Sequence, residues 1–214
     1  MKIKFFIVAL GIALTVTTIS ANAQKAYTQG TINMSGDMMG QATPMKDYFS
    51  ADSSALSFQA GPATIKILTN AAKTYLAIIV DVPSFSVKKA AIATPDEIDQ
   101  AKNALPKFTF APTTETKQIS GFNCKKMVAT DAKDKKTYDV WVTNDITLPA
   151  STISDLYAGA GGVPIQYTSF NRGQASVITV TAITDEKAPA GTFGFSADYD
   201  KITLDDLKAM SGGN

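Results

Sequence analysis

The sequence predicts a mainly β fold of the α+β class: a single curved antiparallel sheet, or open half-barrel, with a covering helix at about Thr94–Leu105 and a short C-terminal helix. Short runs rich in β-branched and aromatic residues alternate with clusters of Gly, Pro, Asn and Asp, which is typical of strands and turns. Most connections have hairpin length, and this favours antiparallel pairing because a parallel crossover needs about a dozen residues. A β-sandwich is the alternative, since periodicity does not distinguish the two.

The N-terminus has the three parts of a secretory signal peptide. Lys2 and Lys4 precede an apolar stretch, Phe5–Ile19, and a small-x-small site ends at Ala23. This stretch of about 15 residues is shorter than the roughly 20 needed to span a bilayer. We therefore expect cleavage after Ala23 and a soluble periplasmic protein; no cysteine stands near the site, so a lipoprotein anchor is not expected. An uncleaved N-terminal anchor is the alternative.

Residues 24–210 are predicted to form one β domain, followed by a flexible tail at 211–214. Nine or ten strands are expected, because each apolar run is bounded by turn residues. The principal strands are predicted in the segments Ala26–Met34, Tyr48–Gln59, Ala63–Leu68, Lys73–Val82, Lys107–Ile119, Cys124–Asp131, Lys136–Asp145, Val163–Phe170 and Ala175–Glu186.

The segment Lys73–Val82 is apolar on both of its alternating faces. Leu76, Ile78 and Val80 form one set, while Ala77 and Ile79 belong to the other. A strand of this kind is covered on both sides. We expect something other than water to lie against each face of the sheet here.

One internal segment carries the signals of an amphipathic helix. Thr94 is suited to cap the first turn, Pro95 to begin it, and Ile98, Ala101 and Leu105 form a narrow apolar stripe. A helix on the sheet would cover one face of the apolar strand. A second short helix is predicted at the C-terminal end, over Thr203–Met210.

Composition excludes several kinds of chemistry. The chain contains no histidine, which removes His-based acid–base catalysis, Ser-His-Asp and Cys-His nucleophiles, and imidazole metal sites. Without residues 1–23 the chain keeps 18 basic against 19 acidic residues, so no basic footprint for nucleic acid is present. A single cysteine forms no intramolecular disulfide. We expect no enzyme, no cofactor and no nucleic-acid partner.

The segment around residues 34–45 is unusually rich in methionine and is expected to form a loop. It holds Met34, Met38, Met39 and Met45, four of the seven methionines of the chain. Thioethers are soft ligands that suit Cu(I), so a copper site is one hypothesis. Contact with an apolar ligand or partner, or ordinary packing, are the alternatives.

Cys124 lies in a predicted strand that precedes a polar hairpin. Lys125 and Lys126 would lower the pKa of an exposed thiol, but no second cysteine accompanies it. We expect a small half-buried apolar residue. A disulfide-linked homodimer is the alternative.

The same region carries a family resemblance. The pattern consists of Ile-x-Gly-aromatic-x-Cys-Lys-Lys, a hairpin, a Trp-Val-Thr strand, a Gly-x-Pro strand and a Pro-x-x-x-Phe segment. These positions are filled by Ile119, Gly121, Phe122, Cys124, Lys125, Lys126, Trp141, Val142, Thr143, Gly162, Pro164, Ile165, Tyr167, Pro189 and Phe193. The chain thereby resembles the uncharacterised DUF4412 domain of exported bacterial proteins.

That domain is similar in fold to the LolA/LolB-like lipoprotein-localisation carriers of the cell envelope. The resemblance implies a half-barrel that is lined by apolar side chains, lidded by helices and able to hold acyl chains. It transfers no functional residue to this chain.

The sequence thus predicts a non-enzymatic periplasmic binding or carrier protein for an apolar small molecule or lipid, with no membrane span after cleavage. The alternatives are a cell-envelope protein–protein interaction module and a Cu(I)-binding protein. The residues expected to contact an apolar ligand are Leu76, Ile78, Val80, Met34, Met38 and Met39.

Overall fold

The computed structural model describes residues 24–38, 41–152, 155–171 and 174–210. These residues form mainly β structure with two α-helices, which confirms the predicted fold class. The strands are β1 (Lys25–Ala26), β2 (Gly30–Met38), β3 (Gln41–Phe49), β4 (Ser53–Ala60), β5 (Ala63–Asn70), β6 (Leu76–Val82), β7 (Val87–Ile92), β8 (Phe108–Ile119), β9 (Phe122–Asp131), β10 (Thr137–Thr143), β11 (Ile146–Thr147), β12 (Val163–Asn171), β13 (Gln174–Thr184) and β14 (Asp200–Ile202). The helices are α1 (Pro95–Ala104) and α2 (Leu204–Met210).

Twelve of the described strands form one open sheet in the order β14-β7-β6-β5-β4-β3-β2-β13-β12-β10-β9-β8. The prediction of a single antiparallel sheet is corrected in two respects: β14 pairs with β7 in parallel, and β1 and β11 form a separate two-stranded parallel sheet. The irregular segment of residues 185–199 carries the chain from β13, inside the sheet, to β14 at the edge beside β7.

The sheet consists of two meanders joined along one seam. Strands β2 to β7 follow each other in sequence and in space, and β8, β9, β10, β12 and β13 do the same. The seam is the pairing of β2 with β13, in which Ile32 lies opposite Ile183 and Met34 lies opposite Val180. The first meander is therefore joined to the second through the strand at its N-terminal end.

The connection between the meanders requires the sheet to curve. Strands β7 and β8 lie ten strand positions apart, which would be about 48 Å in a flat sheet. The linking residues 93–107 comprise α1, about 15 Å long, and five further residues that add about 17 Å at most. Because about 32 Å does not span about 48 Å, the two ends of the sheet must approach each other. The observed sheet is accordingly curved and open.

Helix α1 begins with the predicted cap. The Thr94 side chain accepts a hydrogen bond from the Glu97 backbone N–H, and the Glu97 carboxylate accepts one from the Thr94 backbone N–H, which is a complete capping box. Of the predicted apolar stripe, Ile98 is buried, whereas Ala101 and Leu105 are exposed. The helix therefore contributes one side chain to the core.

Strand β6 is apolar on both faces, as predicted, and the two faces have different surroundings. Ala77 and Ile79 are fully buried, and Phe193, Phe195 and Tyr199 of the segment after β13 pack against their cluster. The cover on this face thus comes from the C-terminal part of the chain. The opposite face of β6 carries half-buried side chains.

The C-terminal cover is fixed by polar contacts as well. The Lys66 Nζ donates a hydrogen bond to the Gly194 carbonyl oxygen at 2.6 Å, and the Tyr199 hydroxyl donates one to the Asp81 carboxylate at 2.9 Å. Lys88 forms an ion pair with Asp198 at 2.6 Å.

Within the described ranges, no helix is long and apolar enough to cross a membrane.

Candidate functional site

A cavity of about 270 Å³ lies between the sheet and the connection from β11 to β12. We call the sheet face that borders it the cavity face. Nine of the eighteen lining side chains are aliphatic, proline or methionine, and the other nine include two tyrosines, one carboxylate and one ammonium. The lining residues are Ile32, Met34, Asp47, Ser54, Leu56, Ile67, Thr69, Lys73, Leu148, Ser151, Thr152, Tyr157, Val163, Pro164, Tyr167, Ser169, Val180 and Ile183.

Strand register brings the sheet residues of the cavity together. Residues directly opposite each other in an antiparallel pair point to the same face of the sheet. One such row crosses six strands from the seam outward, with one residue from each strand. It consists of Ile32, Asp47, Leu56, Ile67, Ile78 and Ala91. The row is apolar except for Asp47.

Asp47 is the ionisable acid of this row and it is buried, with 5% of its surface exposed. The Ser54 hydroxyl donates a hydrogen bond to its Oδ1 at 2.7 Å. Burial raises the pKa of Asp47 from 3.8 to about 7, although the hydrogen bonds from Ser54 and the Ala55 backbone and the charge of Lys73 oppose the rise. The carboxyl group therefore titrates near neutral pH.

The β11–β12 connection, which covers the cavity, is held by side-chain hydrogen bonds to backbone carbonyls. The Ser151 hydroxyl donates to the Ser50 carbonyl oxygen at 2.7 Å, which ties the connection to the end of β3. The Tyr157 hydroxyl donates to the Thr168 carbonyl oxygen in β12. Two separate anchors thus hold the connection against the sheet.

Tyr157 is also fixed by aromatic packing. Its ring centroid lies 5.8 Å from that of Phe108, 6.3 Å from that of Phe110 and 5.3 Å from that of Tyr167. It is 1% exposed, and burial raises its pKa far above the ordinary value of 10. The residue therefore joins the cavity cover to an aromatic cluster on strands β8 and β12.

Tyr167 and Met34 meet at the seam side of the cavity. The Tyr167 hydroxyl donates a weak hydrogen bond to the Met34 Sδ at 3.8 Å. Burial, and to a lesser extent the nearby charge of Asp47, raises the pKa of Tyr167 to about 12. Tyr167 is therefore a neutral group at physiological pH.

The structure places the predicted ligand-contacting residues whose side chains it describes in two different settings. Met34 lines the cavity. Leu76, Ile78 and Val80 are half-buried on the cavity face, opposite Thr69, Ile67 and Ile65 respectively, but they do not line the cavity themselves. They extend its apolar surface towards β7.

The methionine-rich segment is a hairpin of two strands, not a loop, which corrects the prediction. Met34 in β2 lies opposite Met45 in β3, and Met45 is half-buried against the core. Met38 is the last residue of β2, but its side chain lies outside the described residues, as does the whole of Met39. The described part contains no group of three or more Cys, Asp or Glu residues that could hold a metal ion.

Sequence reasoning missed Asp47, Tyr157 and Tyr167 as site residues. A signal for Asp47 was present, because it stands between Met45 and Phe49 at a position where strand alternation favours an apolar residue. The tyrosines gave no comparable signal. Their place at the cavity depends on contacts between distant parts of the chain.

A second hollow, of about 370 Å³, lies on the opposite face and is more open. Lys66 lines it together with Gly191, Gly194 and Tyr199. Burial lowers the pKa of Lys66, and its ammonium donates to backbone carbonyls of the C-terminal cover. These contacts give Lys66 a structural role, because they anchor the C-terminal segment to the sheet.

Cys124 is a free, buried cysteine with 1% of its surface exposed. It packs in the main core cluster with Trp141 and Ile146, and burial raises the pKa of its thiol. These observations agree with a strand residue of the core. A thiol that is buried in this way is not positioned for an intermolecular disulfide.

Comparison with known proteins bears on the fold and the family. A family model described as "Domain of unknown function (DUF4412)" matches residues 10–156, more than half of the chain. The matched range includes the predicted family positions from Ile119 to Thr143. No curated protein matches.

Two solved structures of PNGF-II have a similar fold. The structure in space group C2 superposes with a TM-score of 0.50 at 19% identity and covers 85% of this chain. The structure in space group P21 gives 0.51 at 18% identity and covers 86%. The match spans 32% and 33% of those chains, about a third of their length. At this level of identity the likeness concerns the fold alone.

Proposed function

Because the chain belongs to the DUF4412 family, whose description assigns no function, we propose a function from the site itself: an exported, non-enzymatic binding or carrier protein. Its ligand is an apolar small molecule or one end of an acyl chain. The ligand occupies the cavity beneath the β11–β12 connection and rests on the cavity face of the sheet.

The observation that carries this proposal is the continuity of the apolar surface from the cavity to β6. Leu56 and Ile67 line the cavity, and Ile78 follows them in the same row. These three side chains are only half-buried. Apolar side chains that the fold leaves half-covered gain about 25 cal/mol for each Å² that a ligand removes from water.

The cavity volume limits the size of the ligand. Pockets for small molecules commonly measure roughly 300–1,000 Å³, and this cavity of about 270 Å³ lies near the lower end of that range. A longer molecule would therefore place one end inside the cavity and the remainder along the half-buried surface of β5 and β6.

The cavity residues support a binding role rather than catalysis. The lining contains one carboxylate and no cysteine, and the chain contains no histidine. Its serine and threonine hydroxyls therefore have no imidazole to activate them as nucleophiles. The apolar half of the lining favours retention of an apolar ligand.

The alternative of a protein–protein interaction module would use a sheet edge, and β8 is the long edge strand of the described sheet. Pro112 lies within β8, and its register with β9 shifts between Pro112 and Thr116. Proline and irregular pairing are features that protect edge strands from further pairing. This edge thus gives the alternative little support.

Titration with N-phenyl-1-naphthylamine, an uncharged probe whose fluorescence increases in apolar surroundings, tests the proposal. The purified protein should bind the probe saturably. Ile67→Trp, which fills the cavity, should weaken binding at least tenfold, while Val177→Trp on the exposed opposite side of the sheet should not. Leu56→Trp replaces the first variant where Ile67→Trp does not fold by circular dichroism.

Either of two results would contradict the proposal: no saturable binding by the unaltered protein, or equal binding by the cavity variant and the Val177→Trp control. Export is tested separately by N-terminal sequencing of the protein recovered from a bacterial periplasm. The expected first residue is Gln24, which follows the predicted cleavage site.

A further inference from the structure

Most hydroxyl groups of the cavity already donate a hydrogen bond to an acceptor of the protein. The Ser54 hydroxyl donates to Asp47, that of Ser151 to the Ser50 carbonyl, and that of Thr152 to the Pro149 carbonyl at 2.6 Å. A hydroxyl group has one proton to donate and two lone pairs that accept. These three groups therefore present acceptor capacity to a ligand.

The two tyrosines of the cavity are committed in the same way. Tyr157 donates to the Thr168 carbonyl and Tyr167 donates to the Met34 sulfur. Of the seven hydroxyl groups in the lining, only those of Thr69 and Ser169 are without such a described bond. Apart from the Lys73 ammonium, the polar part of the cavity is accordingly rich in acceptors, and few of its hydroxyl groups are available as donors.

Asp47 is the strongest of these acceptors. An ionised carboxylate offers about four lone-pair sites, and hydrogen bonds from the Ser54 hydroxyl and the Ala55 backbone use two of them. Lys73 supplies positive charge on the cavity wall, yet its attraction does not offset the cost of burying the carboxylate. A buried carboxylate whose negative charge is only partly balanced by its neighbours is stabilised by a further cationic hydrogen-bond donor.

We propose that the cavity selects ligands that combine an apolar body with a protonated amine, and that the ammonium group binds the Asp47 carboxylate beside Ser54. The apolar body lies against Leu56 and Ile67 in the same row of the sheet. This inference rests on the proposed binding function and names the chemical class of its ligand.

The proposal couples binding to the protonation of Asp47. An ammonium group stabilises the ionised carboxylate, so binding lowers the pKa of Asp47 and releases a proton. The other titratable or charged groups of the lining are Lys73, Tyr157 and Tyr167. The tyrosines stay neutral because burial raises their pKa. Amine affinity should therefore rise with pH through about 7.

Competition with three probes of equal chain length tests this inference. Octylamine, octanol and octanoate compete with N-phenyl-1-naphthylamine for the purified protein at pH 5 and pH 8. We expect octylamine to bind at least tenfold more tightly than octanoate at pH 8. Its affinity should be at least tenfold weaker at pH 5, since the neutral carboxyl then predominates.

Variants separate charge recognition from a general apolar effect. Asp47→Asn should bring the ratio of octylamine to octanol affinity close to one and remove its dependence on pH. Asp139→Asn, which changes an exposed acid outside the cavity, should keep the ratio of the unaltered protein. Circular dichroism verifies that both variants are folded.

The outcomes distinguish this inference from the proposed function. Octanoate binding as tightly as octylamine, or an amine preference that survives in Asp47→Asn, overturns the ammonium site and leaves the apolar cavity standing. If the naphthylamine probe itself does not bind, the proposed function fails and this inference fails with it.

Discussion

Replacing Asp47 by asparagine should remove a pH dependence of stability that the folded protein owes to one carboxyl group. Burial raises the pKa of Asp47 from 3.8 to about 7, so the folded protein holds this proton more tightly than the unfolded chain does. The contribution of Asp47 to the free energy of unfolding therefore falls as pH rises from about 4 to about 7. A pKa that is raised by about three units corresponds to a loss of about 4 kcal/mol of unfolding free energy across this pH window.

Urea denaturation between pH 4 and pH 8 measures this dependence. Trp141 is the single tryptophan and is buried, so its fluorescence reports unfolding. Exposed acids with lowered pKa, such as Asp198 beside Lys88, act in the opposite direction, but they are present in both proteins and cancel in the difference. Between pH 4 and pH 8, the unfolding free energy of the unaltered protein should therefore fall by about 4 kcal/mol relative to that of Asp47→Asn.

The result that would refute this reasoning is a difference between the two proteins that stays constant, to within about 1 kcal/mol, over the whole pH range. Asp47 would then be ionised at its ordinary pKa in the folded state. Burial would then not raise the pKa of this carboxyl group. Asp139→Asn is the matched control and should follow the unaltered protein, because this acid is exposed on β10.

Three further predictions concern the cover, the helix and the thiol. Tyr157→Phe removes the hydroxyl that donates to the buried Thr168 carbonyl, and it should cost about 1–3 kcal/mol in urea denaturation, with faster proteolysis of the β11–β12 connection. Thr94→Ala breaks the capping box with Glu97 and should lower the unfolding free energy by about 1 kcal/mol, whereas an equal stability would show that α1 does not need its cap. Cys124 should react with a thiol reagent only after unfolding; rapid labelling of the native protein would contradict its burial.

Local features of the sequence predicted most of the elements, although the predicted strand Tyr48–Gln59 combines the end of β3, a turn and most of β4, and β7 was not predicted. The cap residue Thr94 and the first-turn proline Pro95 located α1 to within one or two residues. Turn residues located the hairpins, as at Ser120-Gly121, where both residues have positive φ between β8 and β9. Such signals act between neighbours in the chain, so a sequence pattern contains them.

Local sequence signals did not predict how these elements pair, and they did not predict most residues of the candidate site. The pairing of Ile32 with Ile183 joins residues about 150 positions apart, and no local pattern specifies it. Tyr157 reaches the cavity only because the connection folds back over the sheet. The predicted ligand residues Leu76, Ile78 and Val80 were chosen from strand alternation, which indicates a face but not how that face is covered.

We expect the seam between β2 and β13 to set the point during folding at which the cavity forms. Within each meander most neighbouring strands are joined by short loops, which close early and at low entropic cost; the connection from β10 to β12 is the long exception. The seam needs two strands about 150 residues apart to meet, and contacts of such long sequence separation form slowly. Met34 and Val180, which face each other across the seam, both line the cavity. Binding competence should therefore be the last property that the refolding protein regains, after its hairpins have formed.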